Sequence, residues 1–205
     1  MKKIILFVLA LTWMGSMKAQ EVISLPQPKV SKLSMTLGQT LQQRRSERQY
    51  SDKEISLQTL STLLWAACGV SDQKTGKITA PSAINMQDVK VYVCAKDGVC
   101  LYNAKANTLT KVSDKDLREA IAGRQAFAKA APISLVLVST KDNDRAPNDK
   151  FGAMDAGYVS QNIYLACTAL GLKTVARATM DFDVLKRELN LADTSYLELN
   201  HPVGY

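Results

Sequence analysis

The residues best equipped for chemistry fall in one run, Arg44-Arg45-Ser46-Glu47-Arg48-Gln49-Tyr50, where three arginines and a hydroxyl lie within five positions. A guanidinium is a planar fork that donates two parallel hydrogen bonds to an oxyanion, so the run is suited to holding phosphate. An apolar stripe, Leu33, Leu37 and Leu41, leads into it. At helical spacing that stripe continues onto Arg44 or Arg45 and then Arg48. If the helix stops near Arg44, an extended chain instead puts Arg44, Ser46, Arg48 and Tyr50 on one side. Both geometries turn at least two cations inward, and an inward cation needs a partner because burying it unpaired is very costly. The competing reading is a solvated helix end whose arginines complement the negative pole of the helix dipole.

Other chemistry is thinly represented. His201 is the one histidine, and beside Pro202 it reads as structural. No nucleophile elbow, Walker loop or dinucleotide fingerprint is present. Cys68, Cys94, Cys100 and Cys167 have no zinc-site spacing. Asp155 either orients a backbone group or caps a helix, with capping favoured. Tyr158, Tyr164 and Trp65 read as packing residues.

The elements that must position these groups follow from pattern. A helix is expected at about 33–45. A second runs from Ser56 to Cys68, capped by Ser56 and striped by Leu57, Leu60, Leu63, Leu64 and Ala67. A polar loop covers 71–79. A strand at 88–95 turns at Gly98 and returns at 99–103. Ser113 to Ala122 reads as a helix with a capping box, Gln125 to Ala130 as a short helical piece, and Ile133 to Val138 as a strand in a sheet interior. Lys141 to Lys150 is a charged loop, and Phe151 to Leu170 a long helix, apolar nearly all round from Ile163 and so buried. Val175 to Thr179 is a short strand or turn, Asp181 to Leu189 a helix, and Ser195 to Leu199 a last strand. Helices alternate imperfectly with strands and one antiparallel hairpin interrupts them, which is the pattern of an α+β fold with a mixed sheet.

The 205 residues suffice for one domain, and 46% hydrophobic with 22% charged residues exclude a disordered chain. Residues 1–19 have a basic start, an apolar run from Ile4 to Leu11 and a small residue, Ala19, at a cleavage point: a Sec-type signal peptide, hence a periplasmic or secreted protein. Residues 20–32 read as an extended arm and 33–205 as a single domain. Lys2, Lys3 and Lys18 account for three of the 26 basic residues, leaving 23 against 19 acidic ones, a net of +4 that gives no argument for nucleic acid. In an oxidising compartment cysteines can pair. A three-residue loop, Lys96 to Gly98, would set Cys94 opposite Cys100, leaving a cross-strand disulfide and two free thiols both open. Cys68 and Cys167 read as small buried hydrophobes.

Four segments taken together resemble the FMN-dependent nitroreductase family. They are the Arg44–Tyr50 run, Pro81-Ser82-Ala83-Ile84-Asn85-Met86-Gln87, the stretch from Asp155-Ala156-Gly157 through Gln161-Asn162 to Ala169-Leu170-Gly171-Leu172, and Pro202-Val203-Gly204-Tyr205. Their order across about 36–205 carries the match. The resemblance implies a nitroreductase-like α+β fold, with a mixed and mainly antiparallel sheet flanked by helices, in a homodimer with its site at the interface. It implies FMN held by Arg44, Arg45 and Ser46 at the phosphate, with Arg48 at the ribityl chain and pyrimidine edge. A cation there stabilises the negative charge of reduced flavin. It implies contacts from Pro81, Ser82, Ala83 and Asn85, often supplied by the partner, with Gln87 at the flavin edge and the backbone of Ala178 and Thr179 near flavin N5. No side chain is implied as an obligatory acid or base.

The chain departs from the family pattern at Asp88, where Pro is usual, at Lys173, where Gly is common, and at Arg177, in a turn that is normally less polar. It ends at Tyr205, before the basic tail of many members, so phosphate affinity is expected to rest more heavily on Arg44 and its neighbours. The implied activity is ping-pong electron transfer to nitroaromatic, quinone-like or other conjugated small-molecule acceptors. Export separates the protein from cytoplasmic NAD(P)H. Either the donor is not a nicotinamide, or the scaffold is a non-catalytic module binding flavin or another phosphorylated ligand.

Overall fold

A computed structural model describes residues 20–140 and 150–205. The expected signal peptide and most of the expected 141–150 loop, Asp142 and Asp144 included, lie outside the described residues. A seven-stranded sheet in the order β1-β6-β5-β4-β7-β9-β8 forms the centre: β1 (Val22–Ser24), β4 (Val89–Ala95), β5 (Gly98–Asn103), β6 (Thr108–Ser113), β7 (Ile133–Thr140), β8 (Lys173–Thr174) and β9 (Ser195–Gly204). Every ladder in it is antiparallel. A small hairpin, β2 (Val70–Asp72) with β3 (Lys77–Ile78), occupies the expected polar loop.

Two layers of helices cover the sheet because its inner strands are apolar on both faces. Along β7, Leu135 and Leu137 join one core while Val136 and Val138 join the other; along β4, Val91 and Val93 oppose Tyr92 and Cys94 in the same way. The first core is closed by α2 (Leu57–Cys68) and α4 (Lys150–Ala169), the second by α3 (Arg118–Ala122) and α5 (Phe182–Glu188). Ser56 caps α2 by accepting from Thr59 N, and Asp181 caps α5 by accepting from Val184 N. A first short helix, α1 (Leu37–Gln43), starts on a capping box between Thr36 and Gln39.

Several expectations need correction. The capping box at Ser113 does not form, because Ser113 ends β6 and Asp116 instead accepts from Arg118 N in a local turn. The last strand runs five residues past Leu199, carrying Pro202 opposite Ser134. Most of the expected N-terminal arm is tied down: β1 adds an edge strand to β6, Ser61 of α2 donates to Pro26 O, and Lys29 N donates to Thr62 Oγ1. The 94–100 hairpin turns in two residues, Lys96 and Asp97, not three. Cys94 therefore pairs with Val99 and Cys100 with Val93. One residue of register sends the two thiols to opposite faces of the sheet, which rules out the cross-strand disulfide; all four cysteines are free. Gly98 makes the tight turn possible, with φ at 127° and Ser113 O occupying the place where a Cβ would stand. The second half of α4 is not buried all round. Leu165 and Ala169 line an open apolar groove of about 260 Å³ with Leu33, Met35 and Leu37.

Candidate functional site

The arginine run takes the extended alternative, but it does not turn two cations inward: Arg45 and Arg48 are exposed. Helix α1 stops at Gln43, and Arg44 turns to ψ 124°. The chain beyond it lies along the end of the sheet, where Glu47 N donates to Thr174 O at 2.9 Å and Ser51 N to Tyr205 O at 2.8 Å. Arg44 is half-buried, with its guanidinium carbon 5.1 Å from the centroid of the Tyr164 ring. Ser46 Oγ lies 2.8 Å from the same Tyr164 hydroxyl, which also accepts from Ala176 N at 2.8 Å. Arg48 faces the Phe127 ring at 6.0 Å. Arg45 folds back onto its own helix end, donating to Gln42 O and Arg44 O at 2.8 Å each. Tyr50 donates to Glu47 O at 2.9 Å, and burial pushes its phenol well above the usual tyrosine pKa.

The turn carrying Ala178 and Thr179 hangs from one buried side chain. Arg177 is 6% exposed, and all five of its N–H donors have acceptors. Nε donates to Gln125 Oε1 at 2.8 Å. Nη1 donates to Ile121 O at 3.0 Å and Asn200 Oδ1 at 2.7 Å, and Nη2 to Ala122 O at 2.8 Å and Thr179 Oγ1 at 3.3 Å. None of these acceptors is a carboxylate. Burial lowers the pKa of this guanidinium, yet an arginine stays charged in any accessible range. The carbonyls of Ile121 and Ala122 belong to the last turn of α3, so the cation helps to satisfy that helix end, where Ala122 O also accepts from Gln125 N at 3.0 Å. The Phe127 ring sits 5.7 Å from the Arg177 guanidinium carbon and so faces two cations. Gly123, Arg124, Gln125, Ala178, Thr179, Met180, Asp181 and Phe182 line a cleft of about 560 Å³.

The Pro81–Gln87 segment is a strained loop. Ile84, Asn85 and Gln87 take φ of 46°, 57° and 52°, a region that costs a β-branched residue such as Ile84 most. Side chains hold it there. Asp155 Oδ2 accepts from Ala83 N at 2.9 Å, Ser82 Oγ accepts from Gln87 N at 2.8 Å, and Gln87 Nε2 donates to Gly76 O at 3.0 Å. Ile84 is left 69% exposed. Asp155 thus orients a backbone group; the expected helix cap is replaced by the other role weighed for it. Burial and the neighbouring Asp155 charge hold the Asp88 carboxyl above the usual range.

The long helix α4 relates these pieces. Asp155 anchors the 81–87 loop and Tyr164 anchors Arg44 and Ser46. Nine residues of helix separate them by roughly two and a half turns and about 13 Å, so they point to opposite flanks. Met154 and Tyr158, 54% and 49% exposed, with Gln161, form the uncovered stripe between. Within one chain the structure joins Arg44, Ser46 and Arg48 to the Ala178–Thr179 turn, and leaves Pro81, Ser82, Ala83, Asn85 and Gln87 on the far flank.

Tyr164, Phe127 and Arg177 are the positioning residues that pattern reading missed. Arg177 had a signal, a charge in a turn between apolar segments; Tyr164 had none beyond its place in an apolar run. His201 is wholly buried between Ser160 Oγ at 2.8 Å and Thr174 Oγ1 at 3.1 Å, which confirms a structural role.

The match to the nitroreductase family model spans residues 41–205. A protein of Methanocaldococcus jannaschii designated a nitroreductase is 31% identical over 181 residues, covering 82% of this chain and 90% of its own. A crystal structure from Ralstonia eutropha JMP134, likewise designated a nitroreductase, superposes with a TM-score of 0.82 at 33% identity, over 89% of this chain and 88% of that one. An FMN-dependent nitroreductase of Clostridium difficile shares the fold at a TM-score of 0.57 and 21% identity, over 81% and 85% of the two chains. The chain belongs to the nitroreductase family and is an oxidoreductase of that class.

Proposed function

We propose that the protein is an FMN-dependent oxidoreductase that works as a homodimer outside the cytoplasm. It passes electrons in ping-pong fashion from a donor to nitroaromatic, quinone-like or related conjugated acceptors. The observation that carries this reading is the chain of contacts from Ser46 through the Tyr164 hydroxyl to Ala176 N. It makes the arginine run and the Ala178–Thr179 turn one rigid unit, so that an anion at one end and a ring at the other are held in fixed relation.

The residues present fit FMN. The Arg44 guanidinium has no hydrogen-bond partner among the described residues, leaving its fork for a phosphate. Ala178 and Thr179 are exposed, so no side chain fills the space before their backbone. Arg48, ranged against Phe127, supplies positive charge beside that space. When bound, FMN supplies the hydride chemistry through its ring. Arg45 contributes to the phosphate only if it leaves the helix-end carbonyls it now engages.

Two copies complete the site. With the 81–87 loop and the arginine run on opposite flanks of one exposed stripe, a two-fold axis through α4 brings the loop of one chain against the arginines of the other. Exposed Met154, Tyr158, Leu37, Leu41 and Ile84 supply apolar surface for that contact. The basic and apolar composition of residues 1–19 supports export. No helix among the described residues is long and apolar enough to cross a membrane.

The purified protein is expected to show flavin absorption that a chemical reductant bleaches and a quinone restores, with FMN as the released species by mass spectrometry. Retention without turnover would favour the non-catalytic binding module. No flavin, and none taken up on addition, would exclude both flavin readings.

A further inference from the structure

We propose that the cleft between Gly123–Gln125 and Ala178–Phe182 is the acceptor subsite, and that it selects planar acceptors bearing an anionic group, with Arg124 as the direct contact. This rests on the reading that Ala178 and Thr179 face the flavin. Its volume of about 560 Å³ is in the range of small-molecule pockets, and half-exposed Phe182 gives an aromatic surface on which a flat ring packs.

The charge around the cleft is unbalanced. Arg124 is exposed at its edge and has no hydrogen-bond or ion-pair partner among the described residues. Behind the wall, Arg177 is buried with five neutral acceptors and no carboxylate, so its charge is not cancelled locally. Gln125 and Thr179, which line the cleft, are two of those acceptors and are polarised by it. Arg48 adds a third cation across Phe127. Against these stands one lining carboxylate, Asp181, with Oδ1 engaged by Val184 N at 3.1 Å. An anionic substituent on the acceptor supplies the missing counter-charge. Arg177 cannot reach it, since its donors are all spoken for; Arg124 can, and its fork suits a carboxylate or sulfonate.

The test is calorimetric titration of the purified full chain, supplied with FMN, with naphthalene-2-sulfonate and with neutral naphthalene-2-carboxamide. The parent is expected to favour the sulfonate by about tenfold or more, a preference worth about one tenfold step in affinity per charge-assisted pair. Arg124→Gln should abolish most of that preference. Gln125→Glu sets a carboxylate beside Arg177 without changing shape and should lower it as well. Equal binding of the two probes by the parent, or a preference that survives Arg124→Gln, overturns the proposal. If the protein takes up no FMN, the flavin reading falls, and the same titrations still decide the charge preference of the cleft.

Discussion

At the scale of single residues, the site is organised by side chains that hold other groups in place. Tyr164 is the clearest case. Phenylalanine there keeps the ring under Arg44 but deprives Ala176 N of its acceptor and Ser46 of its partner. Leaving a part-buried N–H unsatisfied costs about 1–3 kcal/mol, so Tyr164→Phe should lower the urea-unfolding free energy by that order and loosen FMN with it. His201 sets a pH dependence. Burial depresses its pKa from 6.5 to about 3. Between those values the unfolded chain binds a proton that the folded chain refuses, so stability is full above pH 6.5, falls as pH drops through this window, and levels off below about 3. One group gives a slope of about 1.4 kcal/mol per pH unit. Urea melts of the parent and His201→Asn across that window should show a shallower acid decline in the variant. Parallel declines would remove His201 as the cause.

At the scale of elements, burial and period made the strands and long helices legible. β4, β7, α2 and α4 were readable because their apolar runs have the length and alternation that two covered faces demand. What stayed hidden was set by partners distant in sequence. β6 is short and half-buried, and it is a strand because β5 and β1 flank it. β9 continues through Pro202 because β7 beside it fixes the register. The hairpin thiols turned on a single residue of loop length. Gly152 shows a constraint of the same long-range kind. In an open helix interior Ala would gain roughly 0.5–1 kcal/mol over Gly. Here a Cβ would stand 2.5 Å from Ser139 Oγ and 2.7 Å from Ser139 Cβ. Overpacking of this sort costs about 1–3 kcal/mol, so Gly152→Ala should destabilise, as a lowered unfolding midpoint would show.

At the scale of the whole molecule, the sequence resemblance named the right family, while the relation between the pieces came from the fold. Nothing in the spacing of Asp155 and Tyr164 says that they hold the 81–87 loop and the arginine run on opposite flanks until α4 is a helix with one face covered. If two copies meet across that uncovered face, Tyr158→Glu sets like charges near the axis. Light scattering should then report a dimer for the parent and a monomer for the variant, and the variant should retain little FMN. A parent that is monomeric and fully loaded with FMN would contradict the shared site.

The central claim is that Arg44 and its neighbours grip the phosphate of a flavin. The most direct measurement is a pair of titrations, FMN and riboflavin, on the parent and on Arg44→Ala. The parent should bind FMN far more tightly than riboflavin. The substitution should cost FMN binding about 1.5–3 kcal/mol, the range for hydrogen bonds to a charged group, while leaving riboflavin nearly unmoved. Superimposable FMN curves for the two proteins, or equal losses for both ligands, would show that the guanidinium does not hold the phosphate.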